Sequence, residues 1–193
     1  MKAEELKLIV KEKYGEIVTQ SIQENSTSCC CSSASCSEVD YTVFSEKYDK
    51  LEGYNPDADF NLGCGIPTEF AKVRSGDTVV DLGSGAGNDC FVARALAGES
   101  GKIIGIDMTE AMIEKARANV KKTGYENVEF RLGEIENMPV EGDSADVVIS
   151  NCVLNLVPDK SKAFSEIFRI LKPGGHLSVS DVEIGRASCR ERV

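Results

Sequence analysis

The chain has 193 residues, 41% of them hydrophobic, which suits one domain with a buried core and argues against two domains within these residues. Its 22 basic residues stand against 32 acidic ones, a net charge of −10, so the surface repels phosphate backbones and anionic lipid headgroups, and neither nucleic acid nor membrane is an expected partner. No apolar run approaches the roughly 20 residues of a bilayer span, and the charged start MKAEELKLIVKEKYGE lacks a signal-peptide core. These features predict a cytoplasmic protein whose eight cysteines are reduced thiols.

In chain order, Leu6, Ile9, Val10, Ile17 and Val18 recur near the helical period and predict an amphipathic helix over residues 4–22, packed on the domain or on a partner. The stretch from Gln23 to Asp40 is Ser-rich, carries Cys29, Cys30, Cys31 and Cys36, and has almost nothing to bury. Residues 1–40 are therefore expected to be a helix and a flexible Cys/Ser-rich linker, whose cysteines fit neither paired CxxC zinc ligands nor a redox CxxC. Thr42–Asn61 is mixed and is expected to hold short helices.

From Asp77 onward strands and helices alternate. TVVDL (78–82) reads as a strand, GSGAG as a tight turn and NDCFVARALA (88–97) as a helix. KIIGID (102–107) is a second strand, and Thr109–Gly124 a helix with an N-cap threonine and a terminal glycine. NVEFRLG (127–133) and ADVVISN (145–151) follow as strands, KAFSEIFRILKPGG as a helix stopped at Pro173, and HLSVSDVE (176–183) as the fifth strand. The alternation predicts an α/β fold with a doubly wound, mostly parallel sheet in a domain spanning 41–183. The last ten residues, IGRASCRERV (184–193), break this pattern and match a translated sequencing adapter. They are expected to be a non-native tail, Cys189 included, which makes the natural protein longer.

Gly83, Gly85 and Gly87 form G-x-G-x-G between a strand and a helix, where glycine lets backbone approach a ligand and leaves N–H groups free at the helix start. Steric demands of a tight turn would explain such a loop by themselves, but its context adds chemistry. Asp81 sits two residues before the first glycine, and Asp107 ends the next strand, 20 residues beyond Gly87, where an acidic side chain can accept both hydroxyls of a ribose. Nicotinamide or flavin enzymes share this geometry with methyltransferases that use S-adenosylmethionine. The dinucleotide pattern has a third glycine further along, whereas here the helix opens with Asn88 and Asp89, and an acidic Asp81 suits an amino group better than a phosphate.

The ordered strings VVDLGSGAGN, IGID, LGEIENMP and LKPGG resemble the motifs of class I methyltransferases. This resemblance implies a Rossmann-like fold and S-adenosylmethionine as cofactor. Carried over by position, it implies that Asp81 and the loop of Gly83, Ser84, Gly85 and Gly87 line the methionine part and that Asp107 holds the ribose. Met108 would pack on adenine, Glu134 would accept from its exocyclic amine, the Ile135 N–H would meet a ring nitrogen, and Asn151 would face the methyl-transfer cleft. Taken singly, Met108 and Ile135 read as core residues.

The GCG at Cys64, DLGSG-x-G-x-DC in the first motif, and SNCV-x-NLVPDK around Cys152 narrow the resemblance to arsenite methyltransferases, over most of Tyr41–Glu183. It implies Cys64 and Cys152 as the catalytic thiolate ligands of trivalent arsenic, a soft and thiophilic centre. It also implies arsenite or its thiol conjugates as a small-molecule substrate, a thiol reductant such as glutathione or thioredoxin, and a role in detoxification. The family pattern adds a further cysteine after the fifth strand and a C-terminal domain, both outside this sequence. The sheet is thus expected to be incomplete at its C-terminal strands and the arsenic site to lack a third thiolate. Cys90 and His176 are expected to be structural. Two other readings stay open: a methyltransferase for an organic acceptor, indifferent to Cys64 and Cys152, and a non-catalytic thiol module that sequesters arsenite through the linker.

Overall fold

The apolar run Thr78–Leu82 (β1) lies at the centre of the sheet because both of its faces are covered. Val79 points into one core layer, Val80 and Leu82 into the other, and all three are fully buried. The structure, a computed structural model, describes residues 3–19 and 47–181. β1 pairs in parallel with Lys102–Asp107 (β2) on one side and Ala145–Asn151 (β4) on the other. Val128–Leu132 (β3) extends the sheet beyond β2, and Leu171–Ser180 (β5) beyond β4, again in parallel. In the order β3-β2-β1-β4-β5 the winding direction reverses between β1 and β4, which opens a crevice outside their carboxyl ends.

Five α-helices accompany the sheet among the described residues: Ala3–Thr19 (α1), Pro67–Phe70 (α2), Asn88–Ala97 (α3), Glu110–Thr123 (α4) and Lys160–Ile170 (α5). α3 and α4 cover one face with Phe91, Ala93, Ala97, Ile113 and Ala116, while α5 covers the other with Ala163, Ile167 and Ile170. Each large side chain buried in this way contributes about 1.5–3 kcal/mol. Phe91 meets Phe130 of β3 edge-on, with ring centroids 6.3 Å apart. Thr109 caps α4 in extended conformation, and Gly124 ends it left-handed, its N–H returning to the Val120 carbonyl.

Two segments differ from expectation. α5 stops at Ile170 and β5 begins at Leu171, five residues before His176. Lys172 precedes Pro173 and is driven out of the helical region, and Leu171 is already extended at ψ 132°. The Pro-Gly-Gly that follows is absorbed as a register irregularity opposite Ala145–Val147. Residues 47–61, the described part of the Thr42–Asn61 stretch expected to hold short helices, are built of turns, in which Asn55 and Asp59 each accept from the backbone N–H two residues on. α1 turns Leu6, Lys7, Val10 and Tyr14 away from solvent, while Ile9 is 53% exposed. It packs against α4. The four linker cysteines and the tail 184–193 lie outside the described residues. Among the described residues, no helix is long and apolar enough to cross a membrane.

Candidate functional site

The turn after β1 adopts the left-handed backbone that its glycines permit, with φ of +66° at Gly83, +51° at Gly85 and +100° at Gly87. Asp107, at the end of β2, fixes this loop: one carboxylate oxygen accepts from the Gly85 N–H at 2.9 Å and the other from the Thr109 N–H at 2.7 Å. Burial raises the Asp107 pKa, and the N–H donors of Thr109 and Gly85 oppose the rise. Asp81 is buried on β1, where loss of solvent and then the neighbouring charge of Asp89 push its carboxyl well above the ordinary range. It accepts from the Cys90 thiol at 3.3 Å, and Cys90 itself is fully buried.

These groups converge on one cavity at the switch point. Asp81, Gly83, Ser84, Gly85, Asp107 and Met108 line it, Ile135, Asn151 and Cys152 join them, and α1 supplies Lys7, Val10 and Tyr14. Gly87, Glu134 and Cys64 are not among the lining residues. The Glu134 carboxylate is turned instead to the Lys7 amine at 2.7 Å, with Lys11 at 3.9 Å, and the hydrogen bond from Lys7 holds it below the usual carboxyl range. Glu136, buried and in the lining, meets the same Lys7 amine at 3.0 Å.

The charge of the lining selects its ligand. Among the described residues the lining carries Asp59, Asp81, Asp89, Asp107 and Glu136 against one basic residue, Lys7, an acidic set that suits a cation better than a pyrophosphate. Two lining residues also carry buried polar atoms without a partner among the described residues, Ser84 Oγ and Asn88 Oδ1. They are open to hydrogen bonds from a polar ligand. The site therefore fits a cationic sulfonium that bears an amino group and a ribose.

Beside this cavity Cys64 and Cys152 are joined as a disulfide, their Cα atoms 5.8 Å apart across 88 residues of sequence. This corrects the expectation of reduced thiols for that pair. The cause is close approach of the Gly63–Gly65 loop to the ends of β4 and β5. A Cβ on Gly63 would stand 2.6 Å from Asn151 Nδ2, and one on Gly65 would stand 2.8 Å from Ser180 Oγ. The Cys64 N–H donates to Asn151 Oδ1 at 3.0 Å, while Cys152, left-handed at φ +54°, donates its N–H to the Ser180 carbonyl at 2.7 Å. A carboxylate oxygen of Asp181 lies with the two sulfurs in a group whose members are all within 4.8 Å of one another.

Asn151 lines the cleft as its sequence position predicts, but its amide is engaged by Tyr48, Gly65 and Asp89. Burial pushes the Asp89 carboxyl up to about 6, against hydrogen bonds from Asn151 and Tyr48 that lower it. Burial likewise raises the Tyr48 hydroxyl, as does the charge of Asp89. His176 makes a ring-nitrogen contact with the Ala71 carbonyl and is not among the cavity residues. Sequence reasoning missed Lys7, Tyr48, Asp89, Glu136 and Asp181. Asp89 had a usable signal, since it sits two residues after the last glycine of the loop, whereas Tyr48 belongs to no recognisable motif.

A family model described as a methyltransferase domain matches residues 73–191. The arsenite methyltransferase of Halobacterium salinarum is 45% identical over 93% of this chain, which covers 48% of that protein. An arsenic(III) S-adenosylmethionine methyltransferase structure from Chlamydomonas reinhardtii aligns with a TM-score of 0.56 and 44% identity, over 62% of this chain and 42% of that one. A SAM-dependent methyltransferase from Aquifex aeolicus aligns with a TM-score of 0.58 and 25% identity, over 75% of this chain and 73% of that one. The chain spans about half the length of the curated relatives it matches. With the family match running from β1 through β5, and a parallel sheet whose switch point carries the glycine loop, the chain belongs to the methyltransferase-domain family and has the class I methyltransferase fold.

Proposed function

We propose that the chain is the cofactor-binding and thiol-bearing part of an enzyme that moves a methyl group from S-adenosylmethionine to trivalent arsenic held by protein sulfur. The observation that carries this reading is the juxtaposition of Cys64 and Cys152 beside an acidic cavity at the sheet's switch point. When bound, the cofactor supplies an electrophilic methyl group on a sulfonium. Asp107 keeps lone pairs for the ribose hydroxyls beyond those that fix the loop, and Asp81 suits the amino group. Met108 and Ile135 offer apolar surface for adenine. Glu134 can accept from an exocyclic amine only by sharing or releasing Lys7.

In reduced form Cys64 and Cys152 present two soft sulfur ligands, the donor type that trivalent arsenic prefers. Arsenic so bound retains a lone pair, and the protein's contribution is to hold it in place, a proximity effect that needs no acid–base apparatus. Opening the disulfide takes two electrons, and a thiol reductant such as glutathione or thioredoxin is the proposed source. A cytoplasmic role in arsenic detoxification follows from this reading.

The test is arsenite stoichiometry by native mass spectrometry on reduced protein with Cys29, Cys30, Cys31, Cys36 and Cys189 changed to Ser. One arsenic per chain is expected, and it is lost with either Cys64→Ser or Cys152→Ser. Absence of binding, or binding indifferent to both substitutions, overturns the proposal and returns the organic-acceptor reading.

A further inference from the structure

We infer that Tyr48 and Asp89, acting through the Asn151 amide, are positioning residues that hold the Cys64 loop against the end of β4 and so set how readily Cys64 and Cys152 meet. The inference rests on reading these two cysteines as the working pair. Asn151 immediately precedes Cys152, and its side chain grips the loop on both sides of Cys64. Oδ1 accepts from the Cys64 N–H at 3.0 Å and lies 3.8 Å from Cys64 Sγ, while Nδ2 donates to the Gly65 carbonyl at 2.9 Å.

An amide can be turned end for end, and only one orientation serves Cys64. Asp89 and Tyr48 fix that orientation. Nδ2 also faces Asp89 Oδ2 at 2.9 Å and Tyr48 Oη at 2.9 Å. A flipped amide would set its oxygen against a carboxylate and would aim N–H at the Cys64 N–H. The Tyr48 hydroxyl, 2.8 Å from both Asp89 Oδ1 and the Gly65 carbonyl, ties the anchor to the loop a second time. Tyr48 is 5% and Asp89 8% exposed, so water offers neither a ready substitute partner. The four parts come from a turn, the first turn of α3, the loop and the end of β4, and no one of them fixes the sulfur by itself.

The experiment reads the dithiol–disulfide equilibrium with no arsenite or cofactor present, so its failure is distinct from failure of the arsenite test. The full chain, with Cys29, Cys30, Cys31, Cys36 and Cys189 changed to Ser, is equilibrated in glutathione buffers, quenched by alkylation and weighed by mass spectrometry. In this exchange the Cys64 and Cys152 thiols give two hydrogens and two electrons to oxidised glutathione, forming the protein disulfide and two molecules of reduced glutathione. Tyr48→Phe is expected to shift the equilibrium toward the dithiol by about tenfold, the equivalent of one net hydrogen bond. Asn151→Ala, which removes the grip on both sides of Cys64, is expected to shift it by about a hundredfold.

Tyr54→Phe serves as the control, because its hydroxyl donates to Asp59 at 3.2 Å rather than to the Cys64 loop or Asn151. Its shift is expected to stay within about twofold. An equilibrium in Tyr48→Phe within twofold of the parent, or an equal shift in Tyr54→Phe, overturns the inference. Should Asn151→Ala fail to fold, Tyr48→Phe decides by itself.

Discussion

Lys7 is the pin that holds α1 over the cofactor cavity, and Lys7→Ala should release it. The amine lies 2.7 Å from Glu134 and 3.0 Å from Glu136, with side-chain exposures of 14% for Lys7, 39% for Glu134 and 7% for Glu136. The Glu134 contact is partly solvated and contributes about 0.5 kcal/mol. Loss of the partner at Glu136 leaves a buried carboxylate with one fewer donor, which costs about 1.5 kcal/mol or more. Together they amount to about 2 kcal/mol, a factor of about 30 in the docking equilibrium of α1. Hydrogen exchange read by mass spectrometry should show the Ala3–Thr19 amides exchanging faster by about that factor, with the β1 and β2 amides unchanged. Lys11→Ala is the matched comparison: its amine is 3.9 Å from Glu134 and 40% exposed, so an effect below about twofold is expected. Equal effects of the two substitutions, or unchanged protection of α1 in Lys7→Ala, would refute the pin. The pH dependence has a fixed sign. Lys7 holds the folded-state Glu134 pKa below 4.5, so the pair's contribution is complete above 4.5 and is lost as pH falls through the lower folded value. Protection of α1 should decline on that acid limb.

Two further outcomes follow from the loop and its support. Asp107→Asn keeps one acceptor but loses the charge, so isothermal titration with S-adenosylhomocysteine should show affinity reduced by about 10- to 100-fold; an unchanged affinity would remove Asp107 from the cofactor site. Gly105→Ala would place a Cβ 2.7 Å from Ser84 Oγ and against the Phe130 ring, an overpacking worth about 2 kcal/mol that should lower the melting midpoint by roughly 6 °C in calorimetry. A midpoint within a degree of the parent would mean that the ring yields freely.

The sheet was legible because its signals are local. Each apolar run from TVVDL to ADVVISN is bounded by glycine or polar turns, and the structure places those strands within a residue of where the pattern puts them. β5 was misjudged at its start because Pro173 and two glycines read as a stop, although the preference of Lys172 for extended backbone already favours a strand entered directly from the helix. That Asp81, the glycine loop and Asp107 would meet at one cavity was legible for the same reason as the strands, since all of them sit at strand ends. What escaped depends on pairs far apart in the chain. Lys7 and Glu134 are separated by 127 residues, Tyr48 and Asn151 by 103, and their meeting is decided by how turns and α1 lie across the sheet rather than by any local pattern.

The Cys64–Cys152 bond closes a ring that spans 88 residues and contains β1 to β4 entire. In the chain-entropy view, such a ring withdraws conformations from the denatured ensemble and stabilises the native state by about 4–5 kcal/mol. That is a large part of the 5–15 kcal/mol on which a domain of this kind stands. On the proposed reading, a reductant that opens the pair would also loosen the whole protein, and an arsenic atom bridging the same two sulfurs would close the ring again. On the proposed reading, the reduced and empty chain is its most fragile form, and capture of the metalloid doubles as restoration of the missing tether.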